Sequence, residues 1–294
     1  MNIAFYLHDE PDIERCRRQL LALKSRFRMI SGDEVRAFYT GKISLKNACH
    51  LTIDDGWIST YRVIFPLLKE LEIPASIFVS PKACAEGGSF WYQEIRDYDT
   101  EELKRILVEN QWFRSEVLHF PFDLIVKELP IDVVNDVLAK YRKRHCLPLP
   151  NRAVVNEREL VAMAESGWVE VGAHTLSHPV LSNETDRRSA TEIEESVKML
   201  REMLGRPVRS FAYPNGLKGV DFGSREMETV KKCGVECAYS VNPGVLGRGD
   251  VLSIPRVGSL NRLKLGRIGL ILPSLHDQVR PRKQIRGLKT DKTI

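Results

Sequence analysis

The sequence has no long apolar run and no closely spaced pair of cysteines, and both absences exclude classes of protein. Even the run Ile268 to Leu272 is far too short for a helix that crosses a bilayer. The six cysteines are scattered over 294 residues without CxxC spacing, so we expect reduced packing residues and not disulfides. The hydrophobic fraction of 43% is enough for a large core. The composition therefore predicts a globular protein stabilised by apolar packing.

The N-terminus lacks a basic leader and a small-residue cleavage site, because Met1-Asn2 leads straight into the apolar run Ile3 to Leu7. We therefore expect a cytoplasmic protein.

The net positive charge of the chain comes from its C-terminus. Residues 280–294 contain six basic residues and one acidic one, which accounts for the whole formal charge of +5 and leaves the rest of the chain neutral. A nucleic-acid binder would present a basic face across the fold, so this class is excluded. The tail is either a solvated terminus or, with the apolar segment Ile268 to Leu275 before it, a peripheral contact with anionic lipid at the inner membrane surface.

Seven short apolar or β-branched runs, each bounded by turn residues, predict strands. They are Ile3 to Leu7, His50 to Ile53, Ser76 to Val79, Val169 to Ala173, Ser210 to Tyr213, Cys237 to Ser240 and Ile254 to Val257. Helical patterns lie between most of them, such as Tyr61 to Leu71, Glu157 to Ser166 and Thr191 to Leu204. This alternation favours a parallel α/β barrel of about seven strands over an open sheet.

The stretch from Pro81 to Asn156 departs from this alternation. It has helical patterns over Thr100 to Asn110 and Ile131 to His145, and it is rich in aromatic residues. We interpret it as a largely helical insertion after the third predicted strand that forms one wall of a cleft. Residues 1–260 then form the barrel domain, and residues 261–294 form a C-terminal extension that carries the basic tail.

Two motifs carry the chemistry: Thr52-Ile53-Asp54-Asp55-Gly56 and His174-Thr175-Leu176-Ser177-His178. Taken singly, each has a structural alternative, since Asp-Asp-Gly is common in turns and a histidine on an apolar stretch is often a hydrogen-bonded core residue. Both motifs, however, directly follow a predicted strand, and a barrel gathers such loops at one mouth. One carboxylate and two imidazoles can hold a divalent ion there, and the second carboxylate can take a proton from water.

The two motifs resemble those of the polysaccharide deacetylase family, also called carbohydrate esterase family 4, which carries T-F-D-D-G and H-[ST]-x-x-H. The resemblance implies a distorted (β/α)7 barrel, with Asp55, His174 and His178 as metal ligands and Asp54 as general base. The ion would be zinc, with cobalt, nickel or manganese as alternatives. The third motif, Phe211 to Gly216 in this chain, would supply the backbone N–H of Asn215 to the oxyanion.

The sequence departs from the wider family in the third motif, where Ala212 stands in place of an arginine. Several members that act on bacterial exopolysaccharide show a similar F-A-Y-P-x-G motif, so we interpret the change as a feature of that branch. A carboxylate base needs a partner that keeps its pKa low, and our candidate is Arg256 at the end of the last strand. An arginine salt-bridged on the barrel rim is the alternative.

The family's catalytic acid is a C-terminal histidine, for which His276 is the candidate and a surface histidine the alternative. His8 follows the first strand and could line the sugar site or simply cap the strand end. Trp57 and Tyr213 could stack on a sugar ring or pack.

The sequence thus predicts a metal-dependent hydrolase that removes N-acetyl groups from an amino sugar in a glycan or a glycan precursor. The absence of a leader favours a precursor made inside the cell, and a lipid-linked one would explain the basic tail. Two alternatives remain: a cyclic amide or imide hydrolase built on the same barrel, and a non-catalytic carbohydrate-binding relative.

Overall fold

The computed structural model describes residues 1–247, 249–258 and 275–291, and the side chains of residues 275–280 are not described. Its centre is a curled sheet of parallel strands in the order β1-β3-β4-β5-β6-β7, with β2 paired to the start of β3. The strands are β1 (Ile3–Leu7), β2 (Arg28–Met29), β3 (Ala48–Ile53), β4 (Ala75–Val79), β5 (Val169–Ala173), β6 (Ser210–Ala212) and β7 (Cys237–Tyr239).

The segment Ile254 to Val257 closes the sheet into a distorted barrel. Ile254 forms a parallel bridge with Tyr239 in β7, and Val257 forms one with Phe5 in β1. Backbone hydrogen bonds join both edges, for example from the N–H of Tyr6 to the carbonyl of Val257 at 3.1 Å. The predicted barrel is confirmed, although this closing segment contributes isolated bridges and not a regular strand.

The strands were recognisable because their side chains are buried on both faces. Every residue of β3 and of β4 is buried, as expected where a parallel sheet is covered by helices outside and filled by side chains inside. The exception is β2, which was not predicted. Its two residues are exposed and half-buried, so they leave no apolar run in the sequence.

Helices α1 (Ile13–Lys24), α2 (Gly32–Tyr39), α3 (Phe65–Glu70), α9 (Glu157–Glu165), α10 (Asp186–Leu204) and α11 (Ser224–Lys232) alternate with these strands. The longest, α10, starts five residues before the predicted Thr191, because Thr185 caps it by accepting a hydrogen bond from the N–H of Arg188. It ends at Gly205 with a φ of 61°. The pattern over Tyr61 to Leu71 forms a π-helical turn followed by α3 and not one continuous α-helix.

Residues 81–156 lie between β4 and α9 and contain five helices: α4 (Pro81–Glu86), α5 (Trp91–Glu94), α6 (Thr100–Glu109), α7 (Phe122–Val126) and α8 (Ile131–Arg144). Buried apolar side chains of this stretch, among them Leu103, Ile106, Val117 and Leu138, form a hydrophobic cluster separate from that of the barrel. The insertion therefore has a core of its own.

The described part of the C-terminal tail packs on this insertion. Helix α12 (Leu275–Arg286) places Ile285, fully buried, in the insertion's cluster, and the carbonyl of Leu288 accepts the N–H of Arg114 at 3.0 Å. Arg282 is buried and forms ion pairs with Glu128 and Asp221. The expectation of a solvated basic terminus is therefore wrong for these residues.

The apolar part of the predicted lipid contact, residues 268–274, lies outside the described residues. Within the described ranges, the structure has no helix that is both long and apolar enough to cross a bilayer.

Candidate metal centre and cleft

Both motif loops begin where a strand ends, and their backbones adopt left-handed conformations. Asp55 follows β3 with a φ of 72°, and Thr175 and His178 follow β5 with φ values of 62° and 58°. Such values are unfavourable for residues with a side chain, and they tend to be kept at functional sites. Gly56 has a φ of 64°, and a Cβ there would meet Val79 at 2.7 Å, which explains the glycine of the first motif.

Asp55, His174 and His178 bring one ligand atom each to a common point. The Oδ1 atom of Asp55 lies 3.4 Å from Nε2 of His174 and 3.3 Å from Nε2 of His178, and the three residues are buried. Their ligand atoms all lie within 4.8 Å of one another. Among the described residues, no other group of three or more His, Cys, Asp or Glu side chains meets this criterion. The Oδ1 atom accepts no hydrogen bond from the described residues.

The three residues fit a divalent ion. Nδ1 of His174 lies 2.7 Å from the carbonyl of Ala212, so this nitrogen carries the proton and Nε2 keeps a free lone pair. Tetrahedral ligands about 2.0–2.1 Å from an ion are separated by roughly 3.3 Å, which agrees with the distances from Asp55. The buried, unsatisfied Oδ1 atom supplies the negative charge that such a site requires.

The electrostatics of Asp55 and His178 favour the protonation states that metal ligands need. Burial raises the pKa of Asp55, but the two imidazoles beside it outweigh burial and hold the pKa well below its usual range. Burial lowers the pKa of His178. Burial also acts to lower the pKa of His174, but the carboxylates of Asp55 and Asp54 outweigh it and raise that pKa. Asp55 is therefore ionised and His178 neutral near pH 7.

Trp57 binds the carboxylate of Asp55 and is largely buried. Its indole N–H donates to Oδ2 of Asp55 at 3.1 Å, its side chain is only 7% exposed, and the guanidinium of Arg96 covers its ring at 4.6 Å. Trp57 is not among the residues that line the cleft, so its predicted contact with a sugar stays a prediction that this packing does not favour.

A buried glutamate that the sequence reasoning missed organises the histidine loop. The carboxylate of Glu192 in α10 accepts the backbone N–H groups of Leu176 and Ser177 at 3.0 and 2.8 Å and the Ser177 hydroxyl at 2.6 Å. Glu192 lies on the buried side of α10, at 1% exposure, where its pattern predicts apolar residues. A charged residue on the apolar face of a helix was the available signal.

Asp54 lies beside the three ligands and is held by Arg256. The guanidinium donates to Oδ1 and Oδ2 of Asp54 at 2.7 and 2.8 Å, and its Nε donates to the carbonyl of Ser240 at 3.1 Å. Burial raises the pKa of Asp54, but the positive charge of Arg256, together with His174 and His8, outweighs burial and lowers the pKa. The structure thus places Arg256 on Asp54 and not in a salt bridge on the rim.

A cleft of about 330 Å³ opens onto Asp54, Asp55 and the two histidines. His8 lines it, with Nε2 3.9 Å from Oδ2 of Asp54 and a half-exposed side chain. Three residues of the insertion complete the lining: Trp91, Tyr92 and Lys127. The aromatic content of the insertion pointed to a cleft wall, but no local pattern singled out Lys127.

The third motif also reaches the cleft through Tyr213 and Asn215. Tyr213 is 1% exposed and its ring is stacked on Phe222 at 3.7 Å, which favours the packing alternative, and its stacking on a sugar stays a prediction. Asn215 has a φ of 57°, and its backbone N–H donates to no acceptor in the part of the chain that the structure describes. Its side-chain amide nitrogen is buried without a partner.

His276 lies within helix α12, but its side chain is outside the described residues. Its role as catalytic acid stays a prediction.

The sequence profile of the polysaccharide deacetylase family matches residues 42–238, more than half of the chain. No curated protein matches the sequence.

Solved structures with the same fold include IcaB from Ammonifex degensii, at 17% identity and a TM-score of 0.61 over 97% of this chain and 96% of that one. The deacetylase domain of BpsB from Bordetella bronchiseptica is 16% identical, with a TM-score of 0.57 over 87% and 94% of the two chains. The Streptococcus pyogenes deacetylase PplD, solved in complex with acetate, is 15% identical, with a TM-score of 0.54 over 95% of each chain. At these identities the likeness shows a shared fold. The profile match shows that the chain belongs to the polysaccharide deacetylase family and is therefore a carbohydrate deacetylase.

Proposed function

We propose that this deacetylase requires a divalent ion, held by Asp55, His174 and His178, and uses Asp54 as its general base. The observation that carries the proposal is the pair of neighbouring carboxylates with different partners. Oδ1 of Asp55 faces two imidazole nitrogens at 3.3 and 3.4 Å, whereas both oxygens of Asp54 are bound by Arg256. One carboxylate is thus prepared to bind a cation and the other to accept a proton.

Zinc is the ion we propose, because two imidazoles and one carboxylate are a common set for a catalytic zinc that keeps one position open. When bound, such an ion would polarise the acetamide carbonyl and lower the pKa of water beside it. Trp57 and the carbonyl of Ala212 support the set by orienting Asp55 and His174. Supporting partners of this kind fix a ligand's tautomer and direction.

Asp54 would take the proton of the attacking water. Arg256 favours its ionised form, and the two hydrogen bonds from one guanidinium fix the plane of the carboxylate. A base held in this way needs no rearrangement before the proton moves.

The oxyanion formed by attack on the acetamide carbon would be stabilised by the backbone N–H of Asn215. This group lines the cleft with no other acceptor among the described residues, and a fixed N–H donor stabilises a developing negative charge.

His8 is our candidate for protonating the leaving amine. Its imidazole is half-exposed at the cleft, 3.9 Å from Asp54, and an imidazole can give a proton near neutral pH. His276 remains the candidate that the resemblance implies.

We further propose that the substrate is an N-acetylated amino sugar in a polysaccharide of the exopolysaccharide type, as the third motif suggested. A lipid-linked precursor and a contact of the tail with the inner membrane surface stay predictions. The ion pairs of Arg282 and Arg286 with Glu128 leave less free charge for such a contact.

Acetate release from N-acetylglucosamine oligomers, measured with and without a chelator and after adding zinc back, tests this function. We expect release that the chelator abolishes and zinc restores. Release that persists unchanged in the chelator would overturn the metal requirement. Opening of a cyclic amide without acetate release would instead indicate the alternative hydrolase.

A further inference from the structure

One cation of the cleft has no part in the proposed reaction. Lys127 directly follows helix α7 of the insertion, is half-buried, and lines the cleft that contains Asp54 and Asp55. The residues proposed for the reaction lie on the loops of the barrel, and none of the proposed steps uses Lys127.

The backbone of Lys127 is fixed from two sides. Its carbonyl accepts the side-chain N–H of Asn183 at 2.8 Å, from the segment after the histidine loop, and that of Arg282 at 2.9 Å, from helix α12. Arg282 is itself anchored by buried ion pairs with Glu128 and Asp221. The lysine therefore projects from a point that the barrel, the insertion and the C-terminal helix hold together.

The charge of Lys127 is not neutralised by any carboxylate of the described residues. The adjacent Glu128 is fully buried and shared between Arg282 and Arg286, and Asp54 is occupied by Arg256. An ammonium group that lines a cleft without a counter-ion can form a charge-assisted hydrogen bond with an anionic group that enters the cleft.

We propose that Lys127 binds a negatively charged group, a phosphate or a carboxylate, on the N-acetylated saccharide, and so selects acidic over neutral substrates. This inference rests on the proposed function and adds the charge class of the substrate. Lys127 is the one lysine that lines this cleft of about 330 Å³ among the described residues, and a lysine ammonium recognises such a group as a point charge without fixing its orientation.

Calorimetric binding to the full-length protein provides the test. The probes are N-acetylglucosamine as the neutral sugar, N-acetylglucosamine 1-phosphate for a phosphate and N-acetylmuramic acid for a carboxylate. The variants are Lys127→Met, which keeps the length of the side chain, Lys127→Arg, which keeps the charge, and Lys143→Met as a matched control on the exposed side of α8.

We expect the unmodified protein to bind one acidic probe about 10- to 100-fold more tightly than the neutral sugar, the range of a hydrogen bond to a charged group. Lys127→Met should abolish this preference without changing affinity for the neutral sugar, whereas Lys127→Arg and Lys143→Met should keep it. The acidic probe that is preferred identifies the group.

Equal binding of all three probes by the unmodified protein, or an unchanged preference in Lys127→Met, would overturn the inference. The urea midpoint of Lys127→Met, which should match that of Lys143→Met, shows that the variant is folded. Acetate release is measured in a separate assay. In that assay, Lys127→Met should raise KM for the acidic substrate and leave kcat unchanged. A charge preference without any acetate release would refute the proposed function and not the role of Lys127.

Discussion

Arg256 binds both carboxylate oxygens of Asp54, although 202 residues separate them in the chain. The guanidinium is fully buried and lies 5.0 Å from the ring centre of Tyr6. The wider family places an arginine in the third motif, where this chain has Ala212. Here the closing segment of the barrel delivers the arginine, and the carbonyl of Ala212 binds His174 instead.

Arg256→Gln should lower kcat/KM and move its acidic limb to higher pH. Arg256 holds the pKa of Asp54 below its ordinary value against burial, which raises it. Without the arginine, burial is opposed only by the nearby His174 and His8, so Asp54 becomes protonated at a higher pH. We expect a loss of about 100-fold at neutral pH, within the range for general-base catalysis.

A pH profile of acetate release measures this shift. The acidic limb of Arg256→Lys should lie between those of the unmodified protein and Arg256→Gln, because lysine keeps the charge but not the paired hydrogen bonds. Arg209→Gln is the control, since Arg209 precedes β6 and its side chain is 47% exposed. A profile of Arg256→Gln that keeps its acidic limb in place would rule out this role of the arginine.

Removal of His178, a proposed metal ligand, should abolish zinc binding and activity together. His178→Ala takes away one of three ligands, so its affinity for zinc should fall by more than the roughly 10- to 100-fold that loss of a supporting partner causes. Atomic absorption measures the zinc that each protein retains after dialysis. His145→Ala is the control, because His145 is exposed and lies on Glu102. Equal zinc content in the two variants would contradict the proposed site.

Trp57→Phe should weaken zinc binding by about 10- to 100-fold without unfolding the protein. The phenyl ring keeps most of the packing, but the hydrogen bond to Oδ2 of Asp55 is lost. Competition with a chromophoric chelator measures the affinity. Trp168→Phe serves as the control. Trp168 is half-buried, precedes β5 and contacts the barrel core. If both variants bind zinc equally well, Trp57 has only a packing role.

Arg282→Met should lower the free energy of unfolding by about 3–5 kcal/mol, because it leaves two buried carboxylates, Glu128 and Asp221, without a buried cation. Arg286→Met should lower it by about 1 kcal/mol or less, since the Arg286 side chain is 44% exposed. Urea unfolding compares the two variants. Similar small losses in both would show that the tail contributes little to stability.

The sequence by itself located the strands and the three motif loops. Apolar runs predicted β1, β3, β4 and β5 to within two residues, because a strand that is buried on both faces has consecutive apolar residues in the sequence. It also placed Asp55, His174 and His178 together, since loops that follow parallel strands meet at one end of a barrel. The structure brings these three within ligand distance of one another.

Only the tertiary structure decided which residues support the site. Side-chain directions and contacts between distant segments set three pairings that the sequence does not reveal. They join Trp57 to Asp55, Glu192 to the histidine loop and Arg282 to Glu128. The sequence could propose Arg256 for Asp54 but could not choose between that contact and the barrel rim. A local pattern records whether a side chain is buried, whereas the identity of its partner is set by how the whole chain packs.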